Sequence, residues 1–326
     1  MNRPLALDPW DLEAQEAARS KDVLHLALAR PDETEPLRVV PLDEFLKMDF
    51  PPREMLLAPW LPKQGLAMVF APRGIGKTHF SLGVAYAVAS GAAFLKWQAP
   101  EPNRVLVIDG EMPAAALKER WAGIVAKSLV EPPAGDYVGI LAADTFAFGL
   151  PDLSTREGQA KIEPLIGDAK LIVVDNLLTL ARSGKENESE SWGLMQEWAL
   201  RQRRAGRSVL FIHHAGKGGE QRGTSRREDV MDSVVKLSLP NDYTPEDGAR
   251  FVVQFTKSRG FAGEEAAPFE AALRDGLWST KALADVRTEQ IIQLHQEGLS
   301  QRDIASELGC GLGTVNRTIK RHKEGE

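Results

Sequence analysis

A glycine-rich turn with the chemistry of a phosphate cradle lies between a short apolar run and an apolar helix. It consists of Ala71, Pro72, Arg73, Gly74, Ile75, Gly76, Lys77, Thr78 and His79. Gly74 and Gly76 have no Cβ, so the backbone can curl and point successive N–H groups at anionic oxygens. Lys77 can reach the β- and γ-phosphates of a nucleoside triphosphate, and the Thr78 hydroxyl is placed to bind Mg²⁺. The nine residues therefore predict a site for a nucleoside triphosphate with Mg²⁺.

A purely structural turn is the alternative interpretation, since many α/β proteins have a glycine-rich turn that binds nothing. Ala71 also stands where the usual pattern has its first glycine. The Gly-Lys-Thr ending, the strand before it and the helix after it favour the nucleotide site.

Carboxylates follow two apolar runs at the positions such a site needs. Asp175 directly follows the apolar run 171–174. This position predicts that its carboxylate lies in the water shell of Mg²⁺. Asp109 and Glu111 follow the run 104–108, at the strand end where open parallel sheets bind ligands. A glutamate there can accept a hydrogen bond from the attacking water and aim it at phosphorus. Capping of the next helix is the alternative, which suits Asp109, whereas Glu111 is expected to be catalytic.

The chain has three parts by composition and pattern. Residues 1–50 form a leader rich in proline, with six basic and eleven acidic side chains. Residues 51–281 alternate strands with helices, which predicts an α/β domain with a central, mostly parallel sheet flanked by helices. A late hairpin, 233–239 with 250–256, is expected at the edge of that sheet. Residues 284–326 predict a small all-helical domain.

Bulk properties narrow the function classes. The single cysteine, Cys310, excludes an internal disulfide and a cysteine-based zinc cluster. A net charge of −6 argues against a generally basic coat, so nucleic-acid contacts must come from local patches. No signal peptide and no apolar run of about 18 residues is found, so a cytoplasmic protein without membrane contact is expected.

The sequence Asp109-Gly110-Glu111 resembles the Asp-Ala-Glu of RecA. The whole segment 51–124 resembles the RecA-like ATPase group that contains the plasmid replicative helicase RepA. The resemblance covers about residues 51–280. It implies a RecA/DnaB-type P-loop core, usually a homo-oligomeric ring of six subunits with ATP at each interface.

The same resemblance implies two further sets of site residues. In RepA-like proteins a polar residue after the strand 209–212 senses the γ-phosphate, a role that would fall to His213 or His214. A metal pair is a weak alternative, because adjacent strand residues point to opposite faces. The sequence 255–260 resembles the Lys-x-Arg-x-Gly of DnaB-type helicases. Lys257 and Arg259 would then be fingers that reach a neighbour's triphosphate, unless they only form a basic surface turn.

The segment 215–227 combines four glycines with basic residues and predicts a flexible loop that binds single-stranded DNA in the ring's channel. Its basic residues are Lys217, Arg222, Arg226 and Arg227. An ordinary solvated loop is the alternative.

The C-terminal part predicts three short helices, 288–296, 302–308 and 314–322, around a compact apolar core. The pattern resembles the helix-turn-helix of resolvase-type and sigma-type domains, whose third helix enters the major groove of double-stranded DNA. Outward residues of that helix are Thr314, Asn316, Arg317, Lys320 and Arg321. Protein docking is the alternative for such a domain.

Together these features predict an ATP-hydrolysing DNA motor of the RepA helicase type. A non-motor ATP switch, acting as a DNA-binding regulator or helicase loader, shares every motif. A small-molecule kinase is a weaker alternative, because it leaves the helix-turn-helix without a purpose.

Overall fold

A computed structural model of the chain describes residues 38–50, 52–182, 188–215 and 228–325. The chain divides into two compact units, Met1–Pro52 and Arg53–Glu326. In the first unit, α1 (Leu42–Phe45) forms one helical turn, beside which Arg38 pairs with Glu44 at 2.8 Å. The sequence of the leader also predicts one helix, over residues 12–29, and these residues lie outside the described ranges.

The second unit is built around a large sheet. In chain order its described strands are β1 (Met55–Leu57), β2 (Leu61–Pro62), β3 (Leu66–Ala71), β4 (Ala93–Phe94), β5 (Trp97–Gln98), β6 (Val105–Asp109), β7 (Val138–Ala142), β8 (Leu171–Asp175), β9 (Ser208–His214), β10 (Ser233–Ser238), β11 (Arg250–Ser258), β12 (Phe269–Arg274) and β13 (Leu277–Ala282). The large sheet has the order β13-β12-β11-β10-β3-β9-β8-β6-β7, and the strands from β10 to β7 run parallel.

Helices cover both faces of this sheet. After α1 they are α2 (Lys77–Ser90), α3 (Ala114–Lys127), α4 (Arg156–Ile166), α5 (Leu177–Leu180), α6 (Glu188–Arg204), α7 (Leu283–Gln296), α8 (Gln301–Glu307) and α9 (Leu312–Gly325). One core holds α2 and α3 residues, and the other holds α4, α5 and α6 residues. Strands β3, β8 and β9 are buried throughout, which explains their continuous apolar runs.

The predicted α/β class, with a mostly parallel central sheet flanked by helices, is confirmed. The late hairpin also forms, since β10 pairs antiparallel with β11. Its predicted place at the sheet edge is wrong, because β12 and β13 extend the sheet beyond it. Strands β12 and β13 lie in residues 269–282. Every residue of β13 is exposed or half-buried, so its sequence lacks the apolar alternation that predicts a strand.

The C-terminal helices α7, α8 and α9 form their own apolar core of Ile291, Ile304, Val315 and Ile319, as predicted. Helix α7 begins at Leu283, directly after β13 and five residues before the predicted start. Ser300 caps α8 by accepting the N–H of Asp303 at 3.3 Å. In the described ranges, no helix is long and apolar enough to cross a membrane.

Candidate nucleotide site

The glycine-rich turn joins the carboxyl end of β3 to the first turn of α2. Gly74 and Gly76 have φ angles of 79° and 107°, in the left-handed region that favours glycine. Gly76 is also close to the β10–β11 loop, since a Cβ there would lie 3.1 Å from Ala249 Cβ. Ala71 is the last residue of β3 and has ordinary strand geometry, so alanine is acceptable at that position.

Lys77 begins α2, and its side chain lies inside the turn. Its Nζ donates to the carbonyl oxygen of Pro72 at 2.6 Å. Burial lowers the pKa of Lys77, although Asp175 and Glu111 favour its charged form. Gly76 provides no side-chain cap, so the first N–H groups of α2 are available to an anion. These features fit a phosphate group.

Asp109 and Asp175 lie side by side at the carboxyl ends of β6 and β8. They are level in the parallel ladder and are 1% and 4% exposed. Burial, together with the neighbouring Asp109, raises the pKa of Asp175 to about 7. Burial also raises the pKa of Asp109. Because two buried carboxylates repel each other, a cation at this edge would stabilise both.

The donor set at this edge fits Mg²⁺. Ser81 Oγ donates to Asp175 Oδ2 at 2.9 Å, and Thr78 lies one turn before Ser81 on α2, so Thr78 and Asp175 approach the same space. Among the described residues, no cluster of three or more His, Cys, Asp or Glu side chains forms a metal site. Mg²⁺ commonly uses one or two protein ligands together with phosphate oxygens and water, so Thr78 and Asp175 would suffice.

The alternative role of Asp109 as a cap of the next helix is wrong, because α3 begins after Pro113 and its N-cap has no side-chain hydrogen bond. Asp109 instead closes the turn before that helix. Its Oδ1 accepts the N–H groups of Glu111 and Met112 at 2.9 and 2.7 Å. This turn directs Glu111 away from the strand, and the Glu111 side chain is 51% exposed. Half of the Glu111 side chain is therefore accessible to water.

Asn176, which the sequence reasoning missed, bonds to Glu111. Its Nδ2 donates to Glu111 Oε2 and lies 3.1 Å from His214 Nε2. Its Oδ1 caps α5 by accepting the N–H of Leu178 at 2.9 Å. An asparagine just before the apolar run 177–180 is an N-cap signal, which could have marked the helix start but not the bond to Glu111.

The structure separates the two histidines at the end of β9. His214 Nε2 lies 3.4 Å from Glu111 Oε2, and burial, followed by the charge of Lys77, lowers the pKa of His214. His213 is the neighbouring strand residue, so its side chain points to the opposite face of the sheet. Of the two predicted sensor residues, His214 is the one beside Glu111.

The predicted finger residues lie at the end of β11. Lys257 Nζ donates to the main-chain oxygens of Glu228 and Asp229 in its own subunit, the latter at 3.1 Å. The Arg259 side chain is 54% exposed, and its Nη1 lies 3.9 Å from Asp232 Oδ1. Lys257 is therefore engaged within the subunit, whereas Arg259 is only loosely held.

Two family models match parts of this chain. A family model described as an AAA domain matches residues 30–220, which is more than half of the chain. The chain belongs to the AAA domain family. A second model, described as a homeodomain-like domain, matches residues 281–326.

A solved structure shows the same fold. It is a KaiC-like protein from the hyperthermophilic archaeon Pyrococcus horikoshii, with 15% sequence identity and a TM-score of 0.50. The match covers 71% of this chain and 95% of that one. The predicted fold class is therefore confirmed, and the helices α7, α8 and α9 lie within the homeodomain-like match.

The structure describes one of the two predicted DNA surfaces of this AAA-domain protein. Along α9, Asn316, Arg317, Lys320 and Arg321 are exposed and Thr314 is half-buried. The other predicted surface, Lys217, Arg222, Arg226 and Arg227, lies outside the described residues.

A cavity of about 910 Å³ lies beside the phosphate turn rather than in it. His79 and Arg120 line it, but Lys77 and Asp175 do not. Burial, followed by the charge of Arg120, lowers the pKa of His79 to about 4. The predicted phosphate contact of His79 would thus come from its main-chain N–H.

Proposed function

We propose that this AAA-domain ATPase is a DNA motor of the RepA/DnaB helicase type that works as a homo-oligomeric ring, in the simplest case of six subunits. The turn 71–79 binds the phosphates of ATP through Lys77 and its main-chain amides. Mg²⁺, held by Thr78 and Asp175, would neutralise phosphate charge. Glu111 polarises the attacking water, His214 senses the γ-phosphate, and Arg259 of a neighbouring subunit completes the site.

The observation that carries this proposal is the position of Arg259 in the sheet. Ser233 is level with Ala67 of β3 and with Ser258 of β11. Arg259 therefore lies at the amino end of β3, and its N–H donates to the oxygen of Asp232 at 2.9 Å. The phosphate turn begins at the other end of β3, roughly 16 Å away at about 3.3 Å per residue.

That separation is longer than an arginine side chain, so Arg259 does not reach the phosphate turn of its own chain, and a finger role requires a nucleotide bound by another subunit. A head-to-tail contact of this kind joins different surfaces of identical chains and closes into a ring when the rotation permits. Asp232 holds Arg53 more closely, at 2.7 Å, which leaves Arg259 available for such a contact.

Mixing two inactive variants tests the shared site. Lys77→Ala removes the phosphate contact but keeps the finger, and Arg259→Ala does the reverse. We expect each variant alone to lose ATP hydrolysis by roughly 10³-fold or more. The mixture should regain part of the activity, because some interfaces pair an intact phosphate turn with an intact Arg259.

Arg156→Ala is the matched control, because Arg156 is 76% exposed on α4 and far from both features in sequence. It should keep wild-type activity alone. A mixture no more active than its components, together with a monomeric mass in the presence of ATP and single-stranded DNA, would refute the proposal.

A second candidate function is a non-motor ATP switch. Gln290 of α7 donates to Asp242 at 3.2 Å, and Asp242 lies in the loop that brings Ala249 against Gly76. The helix-turn-helix thus touches the loop beside the phosphate turn. Strand displacement on a forked duplex with ATP supports the motor, whereas ATP-dependent binding to double-stranded DNA without displacement supports the switch.

A further inference from the structure

Asn176 is a fully buried polar residue, with 0% exposure, that touches three parts of the site. It follows Asp175 directly, it begins α5, and its side chain lies between Glu111 and His214. A helix cap alone needs only the oxygen of such a side chain. Capping therefore does not account for the contacts of the Asn176 amide nitrogen with Glu111 and His214.

The helix fixes the orientation of the Asn176 amide. Its Oδ1 accepts the N–H groups of Leu178 and Thr179 at 2.9 and 3.3 Å. Since an amide NH₂ cannot accept these bonds, the oxygen must face α5. The NH₂ group then faces Glu111 and His214, and this assignment does not depend on seeing hydrogens.

The two hydrogens of that NH₂ group match two acceptors. One is donated to Glu111 Oε2, and the other faces His214 Nε2, 3.1 Å away, which accepts it in the neutral tautomer that carries its proton on Nδ1. The second oxygen of Glu111, Oε1, has no hydrogen-bond partner in the part of the chain that the structure describes. One oxygen is anchored while the other faces outward.

We infer that Asn176 is the positioning residue for Glu111: it anchors Oε2 so that Oε1 is presented to the attacking water. This inference rests on the proposed role of Glu111 in hydrolysis. In this role Asn176 contacts neither the nucleotide nor the water and acts only through the Glu111 carboxylate. Misplacing such a group by about 1 Å can lower a rate by about 100-fold.

Two substitutions separate positioning from capping. Serine and aspartate are both good N-cap residues, so Asn176→Ser and Asn176→Asp keep the acceptor for α5 but remove the NH₂ donor. We expect kcat for ATP to fall about 10-fold to 100-fold in Asn176→Ser, with KM and the melting temperature unchanged. In Asn176→Asp, kcat should fall further, because the new carboxylate repels Glu111.

The kcat of a double variant distinguishes positioning of Glu111 from a purely structural role of Asn176. If Asn176 acts through Glu111, adding Asn176→Ser to Glu111→Gln should cause no further loss of kcat. Independent losses that multiply would overturn the inference, as would a raised KM or a reduced melting temperature in Asn176→Ser.

The remaining outcomes are also distinct. Wild-type kcat in Asn176→Ser, with kcat strongly reduced in Glu111→Gln, would overturn the inference and leave the proposed function intact. An active Glu111→Gln would remove the role of Glu111 and the inference with it. Should Asn176→Ser fail to fold, Asn176→Asp is measured in its place. Loss of the fold in both would overturn the inference, because Asn176 would then be a structural residue.

Discussion

The N–H of Gly110 donates a 2.7 Å hydrogen bond to the carbonyl oxygen of Asp175. This bond ties β6 to β8 just beyond their last paired residues, between Glu111 and the predicted Mg²⁺ ligand. A side chain at position 110 would not fit, since a Cβ would lie 2.6 Å from Thr179 Oγ1 and 2.8 Å from Leu180. The distance between the carboxylates of Glu111 and Asp175 therefore depends on the packing of α5 against Gly110, which has no side chain.

Gly110→Ala should thus push α5 away from β6. We expect the free energy of unfolding to fall by about 1–3 kcal/mol, as in other overpacked sites. ATP hydrolysis should fall as well, because α5 begins at Asn176. Urea unfolding and steady-state kinetics measure the two effects.

Gly123→Ala is the matched control for that substitution. Gly123 lies within α3 and has nothing within 4 Å of its would-be Cβ. Alanine there should stabilise the protein by up to about 1 kcal/mol and leave hydrolysis unchanged. If Gly110→Ala and Gly123→Ala gave the same free energy of unfolding and the same rate of hydrolysis, the close packing at Gly110 would not affect function.

Ser81→Ala tests the predicted Mg²⁺ site. Ser81 Oγ is a direct hydrogen-bond donor to buried Asp175, so its loss should let that carboxylate turn and weaken metal binding. We expect the Mg²⁺ concentration for half-maximal ATP hydrolysis to rise about 10-fold or more. Ser90→Ala is the control, since Ser90 is also buried on α2 but bonds to the oxygen of Tyr86. An equal shift in both variants would show an effect of the helix and not of the ligand.

Much of the fold could be predicted because the central strands are buried on both faces. Such strands must be continuous apolar runs, and the helices between them follow from their periodicity. The phosphate turn was also predictable, since Gly74 and Gly76 need φ angles that other residues rarely adopt.

The Asn176 contacts could not be predicted in the same way. They join residues 65 and 38 positions apart, and only the sheet order brings these three strand ends together. Sequence alone likewise left His213 and His214 equal, because it did not show which face of β9 meets Glu111. Non-local pairing, and not local pattern, decides these features.

Asp247 predicts a pH effect on stability. It accepts the N–H of Thr244 at 3.0 Å and pairs with Arg250 at 3.1 Å, and these contacts lower its pKa, the Thr244 bond most strongly. A lowered pKa in the folded state stabilises the protein above the ordinary carboxyl pKa, and this stabilisation disappears as the pH falls through the lowered value.

Asp247→Asn should therefore reduce the free energy of unfolding at neutral pH, and its difference from wild type should shrink below about pH 4. Urea unfolding across a pH series measures this difference. Asp285→Asn, at an exposed position on α7, is the control and should show little change. A difference that stays constant down to acid pH would mean that the charge of Asp247 is not responsible.

The exposed face of α9 predicts how the helix-turn-helix binds double-stranded DNA. Lys320 and Arg321 are exposed and are predicted to contact phosphates, so each alanine substitution should weaken binding to all sequences and reduce the slope of log K against log salt by about 1. If Asn316 reads a base edge, as the helix-turn-helix resemblance predicts, Asn316→Ala should cost about 1–3 kcal/mol at one base pair and leave the salt slope unchanged. Gln293→Ala, at an exposed position on α7, serves as the control. Binding measured by fluorescence anisotropy at several salt concentrations separates these effects. If none of the α9 variants changed DNA binding, the three-helix domain would instead be a protein-docking module.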